Sequence, residues 1–408
     1  MKKLVIGEFN DSFPPVMDGV GNVANNYTKN LRKLGHDAYA IVSGEKDSKE
    51  YDRKEGIDYA IHGKTTVPMK SMAPYGIVSF KPELKKRIEK MPFDIVHAHC
   101  PFATGKLALK IAKRNNIPIV STFHTFFRDD IYGFVKNNWI SDSAMSIVMK
   151  YYYMLDEVWT PSEAAKAKII NDYKFKGNIR VVENGCDFEV PDEKTFIENK
   201  KRGKELAGVG QDEDRPILIY VGQHKDEKNI MLILSSLKIL KENGSKFKMV
   251  FVGDGHDKGK FEKYVKDNNL EDVIVFLGRI SDRTKIIDLF CASHLFIFPS
   301  LYDTSCLVMR EAACFNLPLI YIEGSCTSEG IEDGVNGFLG KNDIPRFAEK
   351  LKYIIENKDA RDRAGEGAHK TLYRSWETAV KEVESLYYEI IERKKSQIIK
   401  NLDLIDKL

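Results

Sequence analysis

Short runs of apolar, largely β-branched residues alternate along the chain with longer stretches that have the apolar spacing of amphipathic helices. In the first half this pattern predicts a helix at 22–34, ended by Gly35-His36, and it predicts buried strands at 4–7, 38–43, 95–98, 119–122, 157–160 and 179–182. Such alternation is typical of a parallel sheet that is covered by helices on both faces.

The same alternation begins again at Pro216, and predicted strands follow at 217–222, 249–253, 273–277, 295–299 and 319–322. Between the two series, the polar residues 191–214 predict a linker with a short helix. We therefore predict an α/β protein of two doubly wound, Rossmann-like domains, namely residues 1–190, joined by a C-terminal helix at about 385–408, and residues 215–384. A ligand cleft is expected where the carboxyl ends of the two sets of strands face each other.

The composition is that of a folded protein. The chain has 408 residues, of which 43% are hydrophobic and 11% aromatic, which argues against disorder. Its longest apolar runs are far shorter than the ~20 residues that a membrane-spanning helix needs. The opening Met1-Lys2-Lys3 is not followed by the apolar segment of a signal peptide. We therefore expect a cytoplasmic protein.

Cysteine and histidine spacings predict no metal site. The six cysteines form no C-x-x-C pair and are interpreted as reduced, buried thiols. His97 and His99 are the closest histidine pair, and without nearby partners in the sequence they are interpreted as structural or cleft-lining. The acidic run 212–214 precedes a predicted strand, whereas a metal-binding D-x-D motif is expected to follow one.

A glycine loop lies at residues 19–24, which read Gly-Val-Gly-Asn-Val-Ala and match the G-x-G-x-x-G/A pattern of dinucleotide-binding loops. Ten residues lie between Glu8 and this loop, whereas in the dinucleotide motif the first glycine closes the strand directly. This spacing disfavours a nicotinamide oxidoreductase, which stays an alternative. A glycine loop that opens a helix can also offer backbone N–H groups to a phosphate.

Two loops at strand ends in the second half carry charged residues. The loop after the strand 217–222 contains Lys225 and Lys228, whose ammonium groups can neutralise a diphosphate. The loop after 295–299 contains Asp303, and Glu311 follows with seven residues between the two acids.

A helix that starts near Ser305 would present free backbone N–H groups beside Asp303. Glu311 would then lie about two turns further along, where its carboxylate can accept hydrogen bonds from sugar hydroxyls. A buried, paired and purely structural Glu311 is the alternative.

In this order, and over nearly the whole length, these motifs resemble those of the family 4 retaining glycosyltransferases of GT-B fold. Gly19 and Val20 stand where the family has a glycine loop that contacts the donor diphosphate. His124, in Phe-His-Thr, stands where the family keeps a histidine near the transferred sugar. Lys228 stands in the lysine place of the family's G-R-x4-K diphosphate clamp.

The two acids fall on the family's E-x7-E motif. The resemblance implies that Asp303 and neighbouring amides hold the donor sugar, and that Glu311 holds the nucleotide ribose. The amides expected to face the diphosphate and sugar are those of Cys306, Leu307 and Val308. The catalytic residues that the resemblance implies are therefore His124, Lys228 and Asp303.

This sequence departs from the family pattern at two positions. Gln223 stands where arginine is usual, which removes one positive charge, and Lys225 is the candidate to compensate for it. Asp303 replaces the commoner glutamate, which shortens the reach by one methylene group. Both changes resemble a bacterial branch of the family that includes diacylglycerol glucosyltransferase-like enzymes. We therefore include Gln223 and Lys225 among the predicted donor-binding residues.

The resemblance implies an enzyme that moves a hexose from a nucleotide-diphosphate sugar, with a UDP-sugar favoured, to an acceptor hydroxyl. It implies retention of anomeric configuration, by same-face displacement, without a metal ion or other cofactor. A catalytically silent nucleotide-sugar-binding protein is the alternative that Gln223 and Asp303 raise. No nucleic-acid partner is expected.

The acceptor is predicted from charge and from the branch resemblance. Residues 81–116 carry nine Lys or Arg against three acids, a balance that can attract an anionic membrane surface. Aromatic residues that could admit a lipid follow this region, namely Phe126, Phe127, Tyr132, Phe134 and Trp139. A membrane lipid such as diacylglycerol is therefore the favoured acceptor, with peripheral attachment at the inner face of the cell membrane. A soluble or polysaccharide acceptor is the alternative.

Overall fold

The computed structural model describes residues 2–16, 18–44, 47–68, 76–301, 303–304 and 306–405. The chain divides into two compact units. The first consists of residues 1–185 and 376–408, and the second consists of residues 186–375.

Within its described residues, the first unit contains a seven-stranded, all-parallel sheet in the order β3-β2-β1-β6-β7-β8-β9 and a separate antiparallel hairpin of β4 and β5. The strands are β1 (Val5–Asn10), β2 (Asp37–Val42), β3 (Ala60–His62), β4 (Lys64–Pro68), β5 (Gly76–Ser79), β6 (Ile95–Ala98), β7 (Ile119–Thr122), β8 (Glu157–Thr160) and β9 (Ile179–Val181). The helices are α1 (Gly19–Lys33), α2 (Ser48–Glu55), α3 (Pro82–Glu89), α4 (Ala103–Asn115), α5 (Phe127–Val135), α6 (Asn138–Tyr152) and α7 (Glu163–Asn171).

The second unit contains a six-stranded, all-parallel sheet in the order β12-β11-β10-β13-β14-β15. Its strands are β10 (Ile217–Val221), β11 (Lys248–Val252), β12 (Ile274–Gly278), β13 (Leu295–Ile297), β14 (Leu319–Ile322) and β15 (Phe338–Gly340). Its helices are α8 (Glu193–Leu206), α9 (Ile230–Glu242), α10 (Lys258–Asp267), α11 (Arg283–Ala292), α12 (Leu307–Cys314), α13 (Ile344–Glu356) and α14 (Lys358–Leu372).

The predicted α/β class with two Rossmann-like sheets is confirmed. The predicted bounds of β6, β7, β8 and β14 are reproduced, and every residue in these four strands is buried, as expected for the interior of a parallel sheet. The edge strands β3 and β15 and the β4–β5 hairpin were not predicted. Strands β3 and β15 are only three residues long and lie at the edges of their sheets, so neither gives a long apolar run in the sequence.

The segment predicted as a linker, 191–214, belongs to the second unit. Its helix α8 packs against α11, and Gly203 makes this contact close, since a Cβ there would lie 2.0 Å from the backbone oxygen of Asp288. Arg202 adds two hydrogen bonds to the Asp288 carboxylate, at 2.9 and 3.0 Å.

The last helix, α15 (Trp376–Ile405), belongs to the first unit and packs against α1. Tyr387 of α15 is fully buried and its ring stacks on Trp159 of β8, with 5.6 Å between the ring centroids. In the part of the chain that is described, no helix is long and apolar enough to cross a membrane.

Candidate active site

Three neighbouring strands of the second unit end in glycines that pack tightly together. The N–H of Gly222 donates to the carbonyl of Val252 at 3.0 Å, and the N–H of Gly253 donates to the carbonyl of Gly278 at 2.9 Å. A Cβ at Gly253, where φ is +133°, would lie 1.9 Å from the carbonyl oxygen of Gly222. The loops after β10, β11 and β12 therefore leave the sheet side by side, at its carboxyl edge.

Lys228 is held at this edge by local backbone structure. A single 3-10 turn spans Asp226–Lys228, and Asn229 then adopts a left-handed conformation with φ of +58° before α9 begins. The ammonium Nζ of Lys228 lies 2.6 Å from Oδ1 of Asp303. Burial lowers the pKa of Lys228, but the charge and hydrogen bond of Asp303 outweigh burial and raise it above its ordinary value. Lys228 is therefore a cation at neutral pH.

Asp303 follows β13, and its two carboxylate oxygens have different surroundings in the described part of the chain. Oδ1 accepts from Lys228, whereas Oδ2 is buried and has no hydrogen-bond partner among the described residues. A buried carboxylate oxygen without a donor costs free energy, and a ligand hydroxyl would satisfy it. The structure thus brings together Lys228 and Asp303, which were predicted as separate site residues, and places a carboxylate acceptor beside the ammonium group.

Helix α12 begins just after Asp303. We expected it to start near Ser305, which lies outside the described residues, and its first residue is Leu307, with Cys306 in an extended conformation before it. In the described chain no side chain caps this helix and no acid lies in its first turn. The backbone N–H groups of Leu307 and Val308 therefore lie at an uncapped helix N-terminus, which favours an anion.

Glu311, further along α12, is paired. Its Oε1 lies 2.7 Å from Nη2 of Arg283 at the start of α11. Burial raises the pKa of Glu311, and the Arg283 charge and hydrogen bond oppose this rise. Arg283 also lies 3.7 Å from Asp187 and 4.1 Å from the ring centre of Phe188. This arginine was missed in the sequence, because its 28-residue separation from Glu311 gives no spacing signal.

Gln223 and Lys225 lie on the same loop as Lys228 but do not contact Asp303. Gln223 is exposed, and its carbonyl accepts from the hydroxyl of Tyr220 at 2.9 Å. The ammonium group of Lys225 lies 3.6 Å from the Glu227 carboxylate. Whether Lys225 compensates for the missing arginine stays a prediction.

His224, which sequence reasoning did not select, is fully buried between Gln223 and Lys225. Its ring contacts those of Tyr220, Phe251 and Phe276, with centroid distances of 5.7 to 6.1 Å. Both ring nitrogens lack a hydrogen-bond partner within the described residues. Burial, with a contribution from the Lys258 charge, lowers the pKa of His224 to about 4, so the ring is neutral at pH 7.

The predicted glycine loop of the first unit opens α1, as expected. The side chain of Asp18 caps this helix and accepts the N–H of Gly21 at 3.0 Å and the hydroxyl of Ser12 at 2.5 Å. Burial raises the pKa of Asp18, and hydrogen bonds from Ser12 and from the amides of Gly21, Val20 and Gly19 oppose this rise. A diphosphate at Gly19 and Val20 would have to share these amides with Asp18.

His124 follows β7 and contacts another histidine. Its Nε2 lies 3.0 Å from Nδ1 of His99, and the two rings stack with centroids 5.3 Å apart. Nε2 of His99 in turn lies 2.9 Å from Oε2 of Glu8. The sequence spacing did not reveal this cluster, although an acid inside an apolar strand run is a signal of a buried ionisable group.

Glu8, His97 and His99 each offer a ligand atom, and these atoms lie within 4.8 Å of one another. All six carboxylate oxygens and ring nitrogens of these residues already have a hydrogen-bond partner. We therefore interpret the cluster as a hydrogen-bonded network. The six cysteines are free thiols, and five of them are buried.

Two protein-family models match the chain, one to each half. Residues 17–190 match the model described as Glycosyltransferase Family 4. Residues 201–371 match the model described as Glycosyl transferases group 1.

Relatives with similar sequences include two named alpha-monoglucosyldiacylglycerol synthase. The protein from Acholeplasma laidlawii is 25% identical over 407 residues, which cover 97% of this chain and 99% of the relative. The protein from Streptococcus pneumoniae (strain ATCC BAA-255 / R6) is 26% identical over 349 residues, which cover 83% of this chain and 76% of the relative.

Solved structures share the architecture. Anabaena HepE, crystallised in complex with UDP, superimposes with a TM-score of 0.74 at 15% identity and covers 95% of this chain and 100% of its own. A glycosyltransferase from Rickettsia africae superimposes with a TM-score of 0.71 at 20% identity and covers 96% and 99%. At these identities the likeness establishes the fold. The two family models together span most of the chain, and with the shared fold they show that it is a glycosyltransferase of GT-B fold.

Proposed function

We propose that this glycosyltransferase moves a hexose from a UDP-sugar to the hydroxyl group of a membrane lipid such as diacylglycerol. The observation that carries the proposal is the similarity to a named glucosyldiacylglycerol synthase over 97% of the chain. The preference for UDP is supported by HepE, which has been crystallised with UDP and with UDP-glucose. We further propose that the chain is cytoplasmic and attaches peripherally to the membrane.

The donor would bind at the carboxyl edge of the second unit's sheet. Lys228 would neutralise the diphosphate, and the uncapped N–H groups of Leu307 and Val308 would donate to its oxygens. Oδ2 of Asp303, which is buried and has no hydrogen-bond partner among the described residues, would accept a hydrogen bond from a hydroxyl of the sugar. Cys306 would contribute only its backbone, because burial raises the pKa of its thiol to about 12.

The reaction would be a same-face displacement. The bond from the anomeric carbon to the diphosphate oxygen breaks, and a bond to the acceptor oxygen forms on the same face of the sugar. The acceptor's proton passes to the leaving diphosphate oxygen, so no separate base is required. Lys228 would stabilise the negative charge that develops on the leaving group, and electrostatic stabilisation of this kind is usually the largest single contribution to catalysis.

His124 is the proposed sugar-positioning residue of the first unit. It is half-buried, whereas His97 and His99 are fully buried, so among these three it is the histidine within reach of a ligand. Burial, and then the neighbouring His99, lower the pKa of His124 well below its ordinary value. A neutral ring can position a sugar hydroxyl through one donor nitrogen or one acceptor nitrogen.

The proposed membrane-facing surface is the exposed side of α6. Trp139 is 78% exposed and Ile147 is 65% exposed. Because eight residues amount to two turns plus about 80°, both side chains lie on one side of the helix. Lys113 of α4 lies 3.5 Å from the sulfur of Met154, which brings the basic region to the end of α6. An exposed Trp and Ile on one helix side, with a lysine near the helix end, suit an anionic lipid surface.

Not all the predicted aromatic residues belong to this surface. Phe126 and Phe127 are buried, and Phe127 packs against Phe102 and Phe123 with centroids 5.4 and 5.5 Å apart. Core packing therefore accounts for both. Tyr132 is 38% exposed, and the side chain of Phe134 lies outside the described part of the chain.

A partition assay tests the proposal. Purified protein is incubated with radiolabelled nucleotide sugars and vesicles that contain diacylglycerol, and the products are extracted into organic solvent. We expect label in the organic phase with a UDP-hexose. Label on a water-soluble product would move the acceptor to a soluble molecule or a polysaccharide. Donor binding without transfer to lipid or water-soluble acceptors would favour the silent-binder alternative.

The nicotinamide alternative loses its basis. It rested on the glycine pattern at 19–24, and the chain is a glycosyltransferase by family membership. Gly21 of this pattern is accounted for by the close approach of α1, since a Cβ there would lie 3.2 Å from backbone atoms of Phe13.

A further inference from the structure

Glu311 is held by a cation in the same way as Asp303. Nη2 of Arg283 lies 2.7 Å from Oε1 of Glu311, just as Nζ of Lys228 lies 2.6 Å from one oxygen of the Asp303 carboxylate. In both pairs the cation comes from another part of the second unit. No donor among the described residues contacts Oε2 of Glu311. One oxygen of Glu311 is thus held, and the other can accept a hydrogen bond from a ligand.

The Glu311 carboxylate is within reach of a bound donor. Its side chain is 12% exposed. Glu311 lies four residues, or about 6 Å along the helix axis, beyond Leu307, the first residue of α12, whose N–H is proposed to bind the diphosphate. In a nucleotide-diphosphate sugar the ribose follows the diphosphate directly. The ribose hydroxyls are therefore the groups that a carboxylate at this distance can accept.

The guanidinium group of Arg283 is supported by a packed aromatic ring. Its central carbon Cζ lies 4.1 Å from the centre of the Phe188 ring, a distance at which a cation is attracted to the ring face. The Phe188 ring is buried and packs against Phe290 and Phe315, with centroid distances of 6.2 and 5.7 Å. The carbonyl of Phe188 accepts from the hydroxyl of Tyr373 at 3.2 Å. The support under Arg283 is therefore part of the core of the second unit.

Asp187 approaches the same nitrogen of Arg283. Its Oδ2 lies 3.7 Å from Nη2, which is an ion-pair distance but too long for a hydrogen bond. Glu311, at 2.7 Å, is therefore the hydrogen-bonded partner. Holding a long, exposed side chain in one geometry costs entropy. The Phe188 ring and the second carboxylate offset this cost for Arg283, whose side chain is 44% exposed.

Arg283 also favours the ionised form of Glu311. Burial raises the pKa of Glu311, the charge and hydrogen bond of Arg283 oppose this rise, and Asp187 adds to it. An ionised carboxylate only accepts hydrogen bonds, whereas a protonated one also donates. The ionised form is therefore matched to the hydroxyl groups of a ribose, which can donate.

We propose that Arg283 is a positioning residue for the nucleotide, because it holds Glu311 in the orientation in which Oε2 accepts from the ribose hydroxyls. The inference rests on the proposed function in so far as the donor is a nucleotide-diphosphate sugar. Without Arg283, the side chain of Glu311 would have to be ordered when the donor binds. Ordering one such side chain costs about two- to tenfold in affinity.

The test is calorimetric binding to the full chain, without acceptor, of UDP, its 2′,3′-dideoxy analogue and inorganic diphosphate. The wild type should bind UDP about tenfold or more tightly than the analogue, because the analogue lacks the hydroxyls that donate to a charged group. In Arg283→Met this preference should fall about two- to tenfold. Affinity for inorganic diphosphate, which has no ribose, should not change. An unchanged preference in Arg283→Met, or a wild type without any preference, would overturn the proposal.

Arg202→Met is the matched control. The side chain of Arg202 is 47% exposed, and it donates to a buried carboxylate on the same helix α11, that of Asp288, at 2.9 and 3.0 Å. Its loss should lower the free energy of unfolding without changing the preference for UDP over the dideoxy analogue. An equal loss of preference in Arg202→Met and Arg283→Met would mean that the stability of α11 determines it, and the positioning role would be wrong.

Arg283→Lys is the second variant. It keeps the charge but not the planar guanidinium group that lies on Phe188, so its preference for UDP should lie between those of the wild type and Arg283→Met. If Arg283→Met no longer binds inorganic diphosphate, its site is disrupted and Arg283→Lys takes its place. A preference in Arg283→Lys equal to that of the wild type would then overturn the proposal.

These outcomes do not depend on sugar transfer. A partition assay without product would count against the proposed function and leave the binding result intact. A UDP preference that does not depend on Arg283 would remove the positioning role and leave the glycosyl transfer proposal untouched.

Discussion

The ammonium group of Lys228 lies 2.6 Å from Oδ1 of Asp303, 75 residues further along the chain. Both side chains are mostly buried, with 15% and 23% exposure. The pair keeps a cation in place where the donor diphosphate is proposed to bind, and among the described residues nothing hydrogen-bonds to the second carboxylate oxygen, which we propose accepts from the sugar.

Replacing Lys228 by alanine should abolish most activity. The lost cation is proposed to stabilise charge on the leaving diphosphate, and removal of one such group costs about 10²–10³ in kcat. We expect this loss in steady-state sugar transfer with saturating donor. Lys260→Ala is the control, because Lys260 forms an exposed ion pair with Asp226 and should keep normal kinetics. Equal kinetics in both variants would remove Lys228 from the site.

Asp303→Asn should separate the two roles of this carboxylate. The amide keeps the size of the side chain but no longer supplies the charge that raises the pKa of Lys228, so burial should lower that pKa below its ordinary value. We expect a kcat about tenfold or more below wild type, since a hydrogen bond to a charged group contributes about 1.5–3 kcal/mol, and a donor KM that rises with pH above neutrality. A pH profile identical to that of the wild type would contradict the coupling.

The features that could be predicted from the sequence are those produced by residues close together along the chain. A strand such as β14 is predictable because all four of its residues are apolar and buried, so the apolar run is local. The first strand was predicted to stop at Gly7 because Glu8 is charged, yet β1 continues to Asn10 with Glu8 fully buried. The local polarity rule failed there because His99 and Tyr387 compensate for the burial, and both are distant in sequence.

The residues of the candidate site also differ in whether nearby sequence reveals them. Lys228, Asp303 and Glu311 could be selected from loops at strand ends and from the family resemblance. Arg283, the partner of Glu311, could not be selected, since its contact depends on how α11 and α12 pack. Long-range pairing of side chains is set by tertiary structure, and one sequence carries no record of it.

Glu311 is predicted to bind the nucleotide, and its pairing with Arg283 allows this to be tested against a structural role. Glu311→Ala should raise the donor KM and lower kcat, because a hydrogen bond from a ribose hydroxyl to a carboxylate contributes about 1.5–3 kcal/mol. UDP binding is measured by calorimetry, and unfolding by urea.

Arg283→Ala is the comparison for Glu311→Ala. It removes the ion pair but keeps the carboxylate, so UDP affinity should fall less than in Glu311→Ala. If the two variants lose the same stability and UDP binds equally to both, Glu311 is a structural residue.

Trp139→Ser should weaken membrane binding. The side chain is 78% exposed, and burial of a large apolar side chain in the lipid interface contributes roughly 2 kcal/mol, or about 30-fold in affinity. The measurement is co-sedimentation with anionic vesicles. Tyr353→Ser, at a 48% exposed position of α13 in the second unit, should bind vesicles normally. Equal binding by wild type and Trp139→Ser would exclude this side of α6 as the membrane contact.

Glu8→Gln should change the pH dependence of stability in a defined window. The folded-state pKa of Glu8 is raised to about 8 from an ordinary value of 4.5. Below pH 4.5 the carboxyl group is protonated in both states. Between pH 4.5 and about pH 8 the unfolded chain releases the proton of Glu8 while the folded chain keeps it. The free energy of unfolding of the wild type therefore falls with rising pH, by at most about 1.4 kcal/mol per pH unit. Above about pH 8 the loss is complete.

The variant escapes this loss because glutamine does not ionise. The free energy of unfolding is measured by urea titration at several pH values. The value for Glu8→Gln minus that for wild type should increase steadily from about pH 5 to pH 8. Glu89→Gln is the control of opposite sign. Hydrogen bonding and charge from Lys110 lower the pKa of Glu89, so its contribution is fully present above its ordinary pKa of 4.5 and is lost only in acid. The difference in free energy of unfolding between Glu89→Gln and wild type should therefore stay constant from about pH 5 to pH 8. Over the same range the difference between Glu8→Gln and wild type should grow. If both differences stay constant, Glu8 does not hold its proton in the folded chain.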